Sequence, residues 1–481
     1  MTSADAPADT GLLSPVRAGT AVEEATGDAA YVRALLAAEV ALVRAQASLG
    51  HAPAGAAAAI ASAAAGAARF DARSLAVRAR SGGNPVIPLV ADLTAAVAEE
   101  APEAAAHVHR GATSQDILDT ATMLVASEAL RLILADLDRT AAALARTAAG
   151  HRDTPMAGRT LTQHAVPTTF GLKAAGWRSL ILDASARLTA VRSSLPAQLG
   201  GAAGTLAAFS AFAHSGSPEP RPDASVPDAS FSGSAATRDT GARLVEAYAT
   251  ETGLAAPALP WHSLRTPVAD LGGALAFASG ALGKLAADVL LLSRTEIGEL
   301  SEGTGGSSSA MPHKANPARA VLIAATARQV PALAGILYGS LVAEDERPPG
   351  AWHAEWQPLR EALRGVGGAA DAAAALAEGL RVHPGRMREN LGITGGLIAS
   401  ERLVAALSDM IGRTGARAAV TSAAVRAVRD GTELHEALRQ EPALADVLSD
   451  DRLRALTDPA GYTGSSGILV DRALRRPNAP S

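Results

Sequence analysis

Leu130-Arg-Leu-Ile-Leu-Ala-Asp-Leu-Asp-Arg-Thr-Ala-Ala-Ala-Leu-Ala-Arg-Thr-Ala-Ala-Gly150 decides the fold class of this chain. Leu130, Ile133, Leu134, Leu137, Ala141, Leu144, Ala145 and Ala148 recur at i, i+3, i+4 and i+7, so they share one helical face, and Gly150 stops the run. The same texture begins at Thr113 and returns over residues 167–195, 267–300, 317–342 and 355–380. Three of these segments open on Pro167, Pro267 and Pro317, a residue tolerated at the first helical position. Pro331, inside 317–342, predicts a kink. Upstream, Leu35, Val40 and Val43 place a helix over 31–49 that ends at Gly50, and shorter Ala-rich helices follow to about Ala106. No convincing period-2 strand run is found. The expectation is an all-α protein with a central bundle of long helices, whose exposed apolar stripes call for partner chains.

Three regions follow from this texture: an N-terminal helical region 1–112, the long-helix bundle 113–380, and a smaller helical region 381–481 whose tail after Arg475 frays. Within the bundle, residues 214–240 are rich in Pro and Ser and are expected to form a mobile surface insertion.

Composition narrows the function. Of 481 residues, 48% are hydrophobic but only 3% aromatic, so the core must be built from Ala, Leu and Val. The net charge is −5, and no Lys/Arg block or aromatic platform is present to track a phosphate backbone, which argues against nucleic-acid binding. With no cysteine, disulfides, Fe–S ligation, thiolate zinc and a Cys nucleophile are all excluded. The first fifteen residues lack the basic start and apolar run of a signal peptide, and Gly, Gln or charge cut the other apolar runs. A cytoplasmic protein without membrane segments is expected.

The densest chemistry lies in Gly303-Thr-Gly-Gly-Ser-Ser-Ser-Ala-Met-Pro-His-Lys-Ala-Asn-Pro317. Its glycines free the backbone, Ser307 to Ser309 supply hydroxyls, and Pro312 and Pro317 end the freedom, as in a lid loop. Lys314 and Asn316 suit the gripping of a carboxylate beside a hydroxyl that acts as acid or base. A Gly/Ser linker would explain the first half alone, but not the Met-Pro-His-Lys-Ala-Asn-Pro tail. In His107-Val-His-Arg-Gly-Ala-Thr-Ser-Gln-Asp-Ile-Leu-Asp-Thr-Ala121, Thr113 and Ser114 start the long helix; a plain N-cap explains them, and so does an anion held at the helix start. His107 and His109 lack a third ligand at metal spacing, so no metal is expected.

The loop resembles the signature of the fumarase/aspartase superfamily, Gly-Ser-Ser-x-Met-Pro-x-Lys-x-Asn-Pro, from Gly306 to Pro317 with one extra serine. The resemblance implies an all-α homotetramer with sites shared between subunits, no cofactor, and a small polycarboxylate substrate. It places the base on Ser308, counting back from Lys314, with Ser309 as runner-up, and gives Lys314 and Asn316 the carboxylate and its dianionic aci form. The superfamily's first region puts a carboxylate on Thr113 and Ser114 and His109 in the site. Gly158-Arg-Thr-Leu-Thr-Gln-His-Ala-Val-Pro-Thr-Thr-Phe-Gly171 is similar to its second region and puts Thr160, Gln163 and His164 toward substrate. Two departures stand out: Ala315 replaces a usual Arg, and Leu161 replaces the histidine that fumarases and argininosuccinate and adenylosuccinate lyases carry after Arg-Thr.

The 3-carboxy-cis,cis-muconate cycloisomerases also lack that histidine. Gly83-Asn-Pro-Val-Ile-Pro-Leu89, Gln198-Leu-Gly-Gly-Ala-Ala-Gly-Thr205, Trp261-His-Ser-Leu-Arg-Thr-Pro267 and Glu344-Asp-Glu-Arg-Pro-Pro-Gly-Ala-Trp-His-Ala-Glu-Trp356 look like that branch. The resemblance implies lactone closure by intramolecular carboxylate addition, in aromatic breakdown through the β-ketoadipate route. Arg347 is expected to hold a further carboxylate, the alternative being a surface ion pair to Glu344 or Asp345. Asn84 either lines the pocket or makes an Asx turn before Pro85. The competing reading is a β-elimination lyase that releases fumarate with ammonia, an amine or nitrite; a third is a non-catalytic structural relative.

Overall fold

The structure, a computed structural model, describes residues 11–214, 235–303, 306–307, 311, 314–445 and 447–477. Ser308, Ser309 and most of the segment expected to be a mobile insertion lie outside the described residues. The fold is helical: α1 (Asp28–Ser48), α2 (Ala54–Ala65), α3 (Ala72–Gly82), α4 (Val86–Glu100), α5 (Ser114–Gly150), α6 (Phe170–Ser194), α7 (Ala235–Thr252), α8 (Thr266–Leu292), α9 (Ala318–Gly339), α10 (Ala351–Gly379) and α11 (Ser400–Asp430) are its principal elements. The all-α expectation holds, and α5 ends at Gly150 as its sequence predicts.

Strands are few but not absent. β1 (Pro155–Thr160) and β2 (Gln163–Thr169) form an antiparallel hairpin, β3 (Leu300–Glu302) pairs with β6 (Leu380–Val382), and β4 (Gly306–Ser307) pairs with β5 (Ala315–Asn316). The hairpin corrects the expectation that a helix starts at Pro167. Pro167 pairs with Ala157 in β2, and α6 begins only at Phe170, where the Thr169 hydroxyl accepts the Leu172 N–H at 3.2 Å. Alternation is hidden because the register shifts between Ala157 and Arg159.

The chain divides into two compact units, one of residues 1–135, 186–279 and 326–369, the other of 136–185, 280–325 and 370–481. In the first unit Leu35, Leu42, Ile60, Leu89, Leu93 and Ile117 form a continuous apolar core with Leu244 and Tyr248 of α7. Fully burying each such side chain stabilises by about 1.5–3 kcal/mol. Ala-rich faces let helices approach closely, and at Gly272 of α8 a Cβ would lie 2.9 Å from Leu337 Cδ1 of α9. In the second unit Leu403, Leu407 and Val420 of α11 pack with Leu434, Leu438, Leu453 and Leu456.

Gly, Gln and single charges interrupt α8 and α9 less than expected: by length and composition alone both are long and apolar enough to cross a membrane, and part of each apolar stretch is buried within the chain. Leu291, Val321, Ile336 and Tyr338 on these helices are exposed in the single chain.

Candidate active site

In the first unit α5 begins with buried polar side chains: Gln115, Asp116 and Thr120 are fully buried and Asp119 nearly so. Each needs a partner, since an unpaired buried polar group costs about 1–3 kcal/mol. The Asp116 carboxylate accepts the backbone N–H of Thr113 (2.9 Å), Gly200 (2.8 Å) and Gly201 (3.0 Å) and pairs with His262 Nε2 at 2.7 Å. One side chain therefore ties the start of α5 to the Gly200–Gly201 loop and to His262. A Cβ at Gly200 would come within 2.7 Å of His262 Cε1, so only glycine fits. One helical turn on, Asp119 and Glu355 clamp the buried Arg265 guanidinium at 2.7 and 2.6 Å, and Trp352 Nε1 donates to Asp119 at 2.9 Å. Burial pushes the Glu355 carboxyl up, with Asp119 adding to the rise, against the opposing pull of Arg265.

Thr113 and Arg347 meet in this scaffold. Arg347 Nη2 donates to Thr113 Oγ1 at 2.8 Å and to the Ala202 carbonyl at 3.3 Å, while Nε donates to Gln115 Oε1 at 3.1 Å. Neither Glu344 nor Asp345 is its ion-pair partner among the described residues. A guanidinium thus stands at the start of a long helix beside Ser114, an arrangement suited to a carboxylate. The Thr113 N–H, however, is already taken by Asp116, so the anion would rely on Arg347 and the hydroxyls.

Asn84 follows the left-handed Gly83 that ends α3, and its Oδ1 accepts the N–H of Val86 at 3.1 Å: it makes the Asx turn that starts α4. His109, at φ 56°, pairs through Nδ1 with the buried Glu39 carboxylate at 2.7 Å. Burial alone would lower this imidazole; the hydrogen bond and charge of Glu39, with Asp116 behind, outweigh it and hold the ring above its ordinary value. Because the folded pKa is raised, the pair's contribution is complete below the unfolded value of about 6.5 and is lost as pH rises through the raised one. The stability difference between wild type and His109→Asn in urea is therefore expected to be larger at about pH 6 than at about pH 9. A difference independent of pH would refute the pairing.

In the second unit Thr160 and Gln163 close a two-residue turn in which Leu161 (φ 49°) and Thr162 (φ 72°) both take the left-handed region. Neither residue favours it, and such strain persists where surrounding structure holds it. Leu161 is 96% exposed at the tip, with Gln163 exposed beside it. Behind the turn, Arg159 makes a two-point contact with the buried Glu299 at 2.7 and 3.1 Å, and Asn390 donates to Glu299 at 2.8 Å. His164 pairs across from Arg159; burial, then the Arg159 charge, push its ring below the ordinary range.

The signature loop is pinned at its base. Gly306 pairs with Asn316 and Ser307 with Ala315 in a short antiparallel ladder. Lys314 is exposed and Asn316 half-buried. Glu302 accepts the N–H groups of Ala320 (2.9 Å) and Arg319 (3.3 Å) and so caps α9 immediately after the loop.

The sequence-derived residues therefore fall into two sets. Asn84, His109, Thr113, Ser114 and Arg347 belong to the first unit; Thr160, Gln163, His164, Lys314 and Asn316 belong to the second; Ser308 lies outside the described residues. Sequence reasoning assigned no role to Asp116, Asp119, His262, Arg265 or Glu355. Their signal was visible only as charged residues inside apolar helical stretches and inside the quoted motifs. Among the described residues no three His, Asp or Glu side chains are grouped to hold a metal.

A family sequence model described as Lyase matches residues 18–214 and 228–332, and one described as Adenylosuccinate lyase C-terminus matches 396–473. The chain is 54% identical over 473 residues to the nitrosuccinate lyase of Streptomyces davaonensis, spanning 98% of this chain and 95% of that one. It is 39% identical over 467 residues to the 3-carboxy-cis,cis-muconate cycloisomerase of Bradyrhizobium diazoefficiens, spanning 96% and 97% of the two chains. The crystal structure of 3-carboxy-cis,cis-muconate lactonizing enzyme from Pseudomonas putida matches with a TM-score of 0.86 at 36% identity, covering 96% of this chain and 98% of that one. With the helical fold and the signature loop, these similarities make the chain a member of the fumarase/aspartase superfamily of lyases and cycloisomerases.

Proposed function

We propose that the enzyme is a β-eliminating lyase acting on a nitro-substituted succinate and releasing nitrite and fumarate. The observation that carries this reading is the 54% identity to a nitrosuccinate lyase across nearly the whole of both chains. Leu161 supports it on chemical grounds: leucine cannot protonate a leaving group, and nitrite departs as a stable anion without needing a proton. Ser308 removes the proton from the carbon beside one carboxylate, the electron pair forms the new C=C bond, and the C–N bond breaks with its pair leaving on nitrite. A free serine hydroxyl is too weak a base, so Lys314 must help to stabilise its alkoxide. Lys314 and Asn316 hold the negative charge that develops on that carboxylate, while Arg347, Thr113 and Ser114 grip the other. Thr160, Gln163 and His164 complete the substrate contacts, Asn84 holds the turn that starts α4, and His109 orders the approach to α5. No metal or cofactor takes part.

The second reading is cycloisomerisation of 3-carboxy-cis,cis-muconate, favoured by the 39% identity to a cycloisomerase and by the shared absence of the histidine at Leu161. Purified enzyme given 2-nitrosuccinate is expected to produce nitrite and fumarate in equal amounts, with no loss of the diene absorbance of carboxymuconate. Turnover of the muconate alone would replace the first reading with the second, and turnover of neither would favour a non-catalytic relative. The exposed apolar side chains of α8 and α9 support a homotetramer whose sites draw residues from several copies. Sedimentation of a stable monomer at micromolar concentration would defeat that assembly and the shared site with it.

A further inference from the structure

Lys173, Lys284 and Lys314 are the three lysines among 43 basic residues, the rest being arginine. Two of the three line a single cavity. That cavity, of about 460 Å³, lies within the second unit, among the β1–β2 hairpin, α6 and α8, and is bordered by Arg159, His164, Lys173, Lys284 and Asp288. Its charged lining is Arg159, Lys173, Lys284 and Arg294 against Asp288 and Glu296, so cations are in excess. Arg159 is engaged by Glu299, and Lys284 by Asp288 at 2.6 Å, while Asp288 also accepts the Trp177 indole N–H at 2.7 Å.

Lys173 has no hydrogen-bond or ion-pair partner among the described residues, although it is half-buried and burial pushes its ammonium below the usual lysine range. His164 Nδ1 is likewise buried and unpartnered. An unpaired cation taken partly out of water is costly unless something of opposite charge joins it. Lysine in a chain that otherwise uses arginine also has a chemical reading. Its compact ammonium on a flexible stem adapts to a small anion, where the flat guanidinium fork demands a matching plane.

We propose that this cavity is an anion site, in which Lys173 binds a small carboxylate or inorganic oxyanion with His164 and Lys284 beside it. The site does not depend on which acid the enzyme turns over, and of the residues given substrate roles it uses only His164. Having three lysines makes the test direct. Reductive ¹³C-methylation of the full-length protein preserves their charge and yields three lysine signals, and Lys173→Met identifies one by its loss. Should that variant not fold, Lys284→Met and Lys314→Met identify it by elimination.

At ionic strength held constant with chloride, the Lys173 signal is expected to shift saturably on addition of fumarate or sulfate, with a midpoint in the millimolar range. It should do so equally in Lys314→Met, where the signature loop has lost its cation. Saturation by fumarate alone identifies a carboxylate ligand; saturation by sulfate, with or without fumarate, identifies a general oxyanion site. No saturable shift with either, or a shift that disappears in Lys314→Met, overturns the proposal.

Discussion

Ser308→Ala is expected to lower kcat by about three orders of magnitude or more, roughly 4 kcal/mol of barrier, with little change in thermal stability. The effect is large because the serine is assigned the one proton transfer that starts elimination, and alanine offers nothing in its place. Ser307→Ala and Ser309→Ala lose at most a neutral hydrogen bond of about 1 kcal/mol, so each should retain most activity. Lys314→Ala should damage both KM and kcat, since the ammonium binds the carboxylate in the ground state and more strongly as charge accumulates. The extra serine makes the comparison decisive. If Ser309→Ala is the crippled variant and Ser308→Ala stays active, the register counted from Lys314 is off by one.

The long helices were legible because an apolar stripe repeats every three to four residues whatever it packs against. Gly150 marked the end of α5, and Pro267 and Pro317 marked the starts of α8 and α9. The β1–β2 hairpin was not legible. Its register shift breaks the alternation, and its turn uses Leu161-Thr162 in place of the Asn-Gly or Asp-Gly that would have announced it. The signature loop could be found from local motif alone, since Ser308, Lys314 and Asn316 lie within a few residues of one another. The buried supports could not be found that way. Asp116 meets His262, and Asp119 meets Arg265, across 146 positions of chain, and nothing local distinguishes such a carboxylate from one on a solvated helix face. Arg347 was singled out from its motif, but its contacts with Thr113 and Gln115 depend on a separation of more than two hundred residues.

Those supports lead to the second large effect. Asp116→Ala is expected to destabilise the protein by on the order of 3–5 kcal/mol, the range seen when one partner of a buried charged network is removed. The carboxylate is fully buried, and its loss strands the N–H groups of Thr113, Gly200 and Gly201 together with His262 Nε2. Asp116→Asn should cost less but still measurably, because its amide NH₂ must face a donor where the carboxylate faced it as an acceptor. Function should follow. Thr113 and the Ala202 carbonyl both position Arg347, and Asp116 fixes the backbone of Thr113 and of Gly201 next to Ala202. Asp116→Asn that remains folded should therefore raise KM for the dicarboxylate at least tenfold, with a smaller fall in kcat, because the carboxylate grip loosens while the base in the signature loop is untouched. Urea denaturation and steady-state kinetics on the same preparations test both halves. A variant within about 1 kcal/mol of wild type and with an unchanged KM would mean that the carboxylate grip is organised without Asp116.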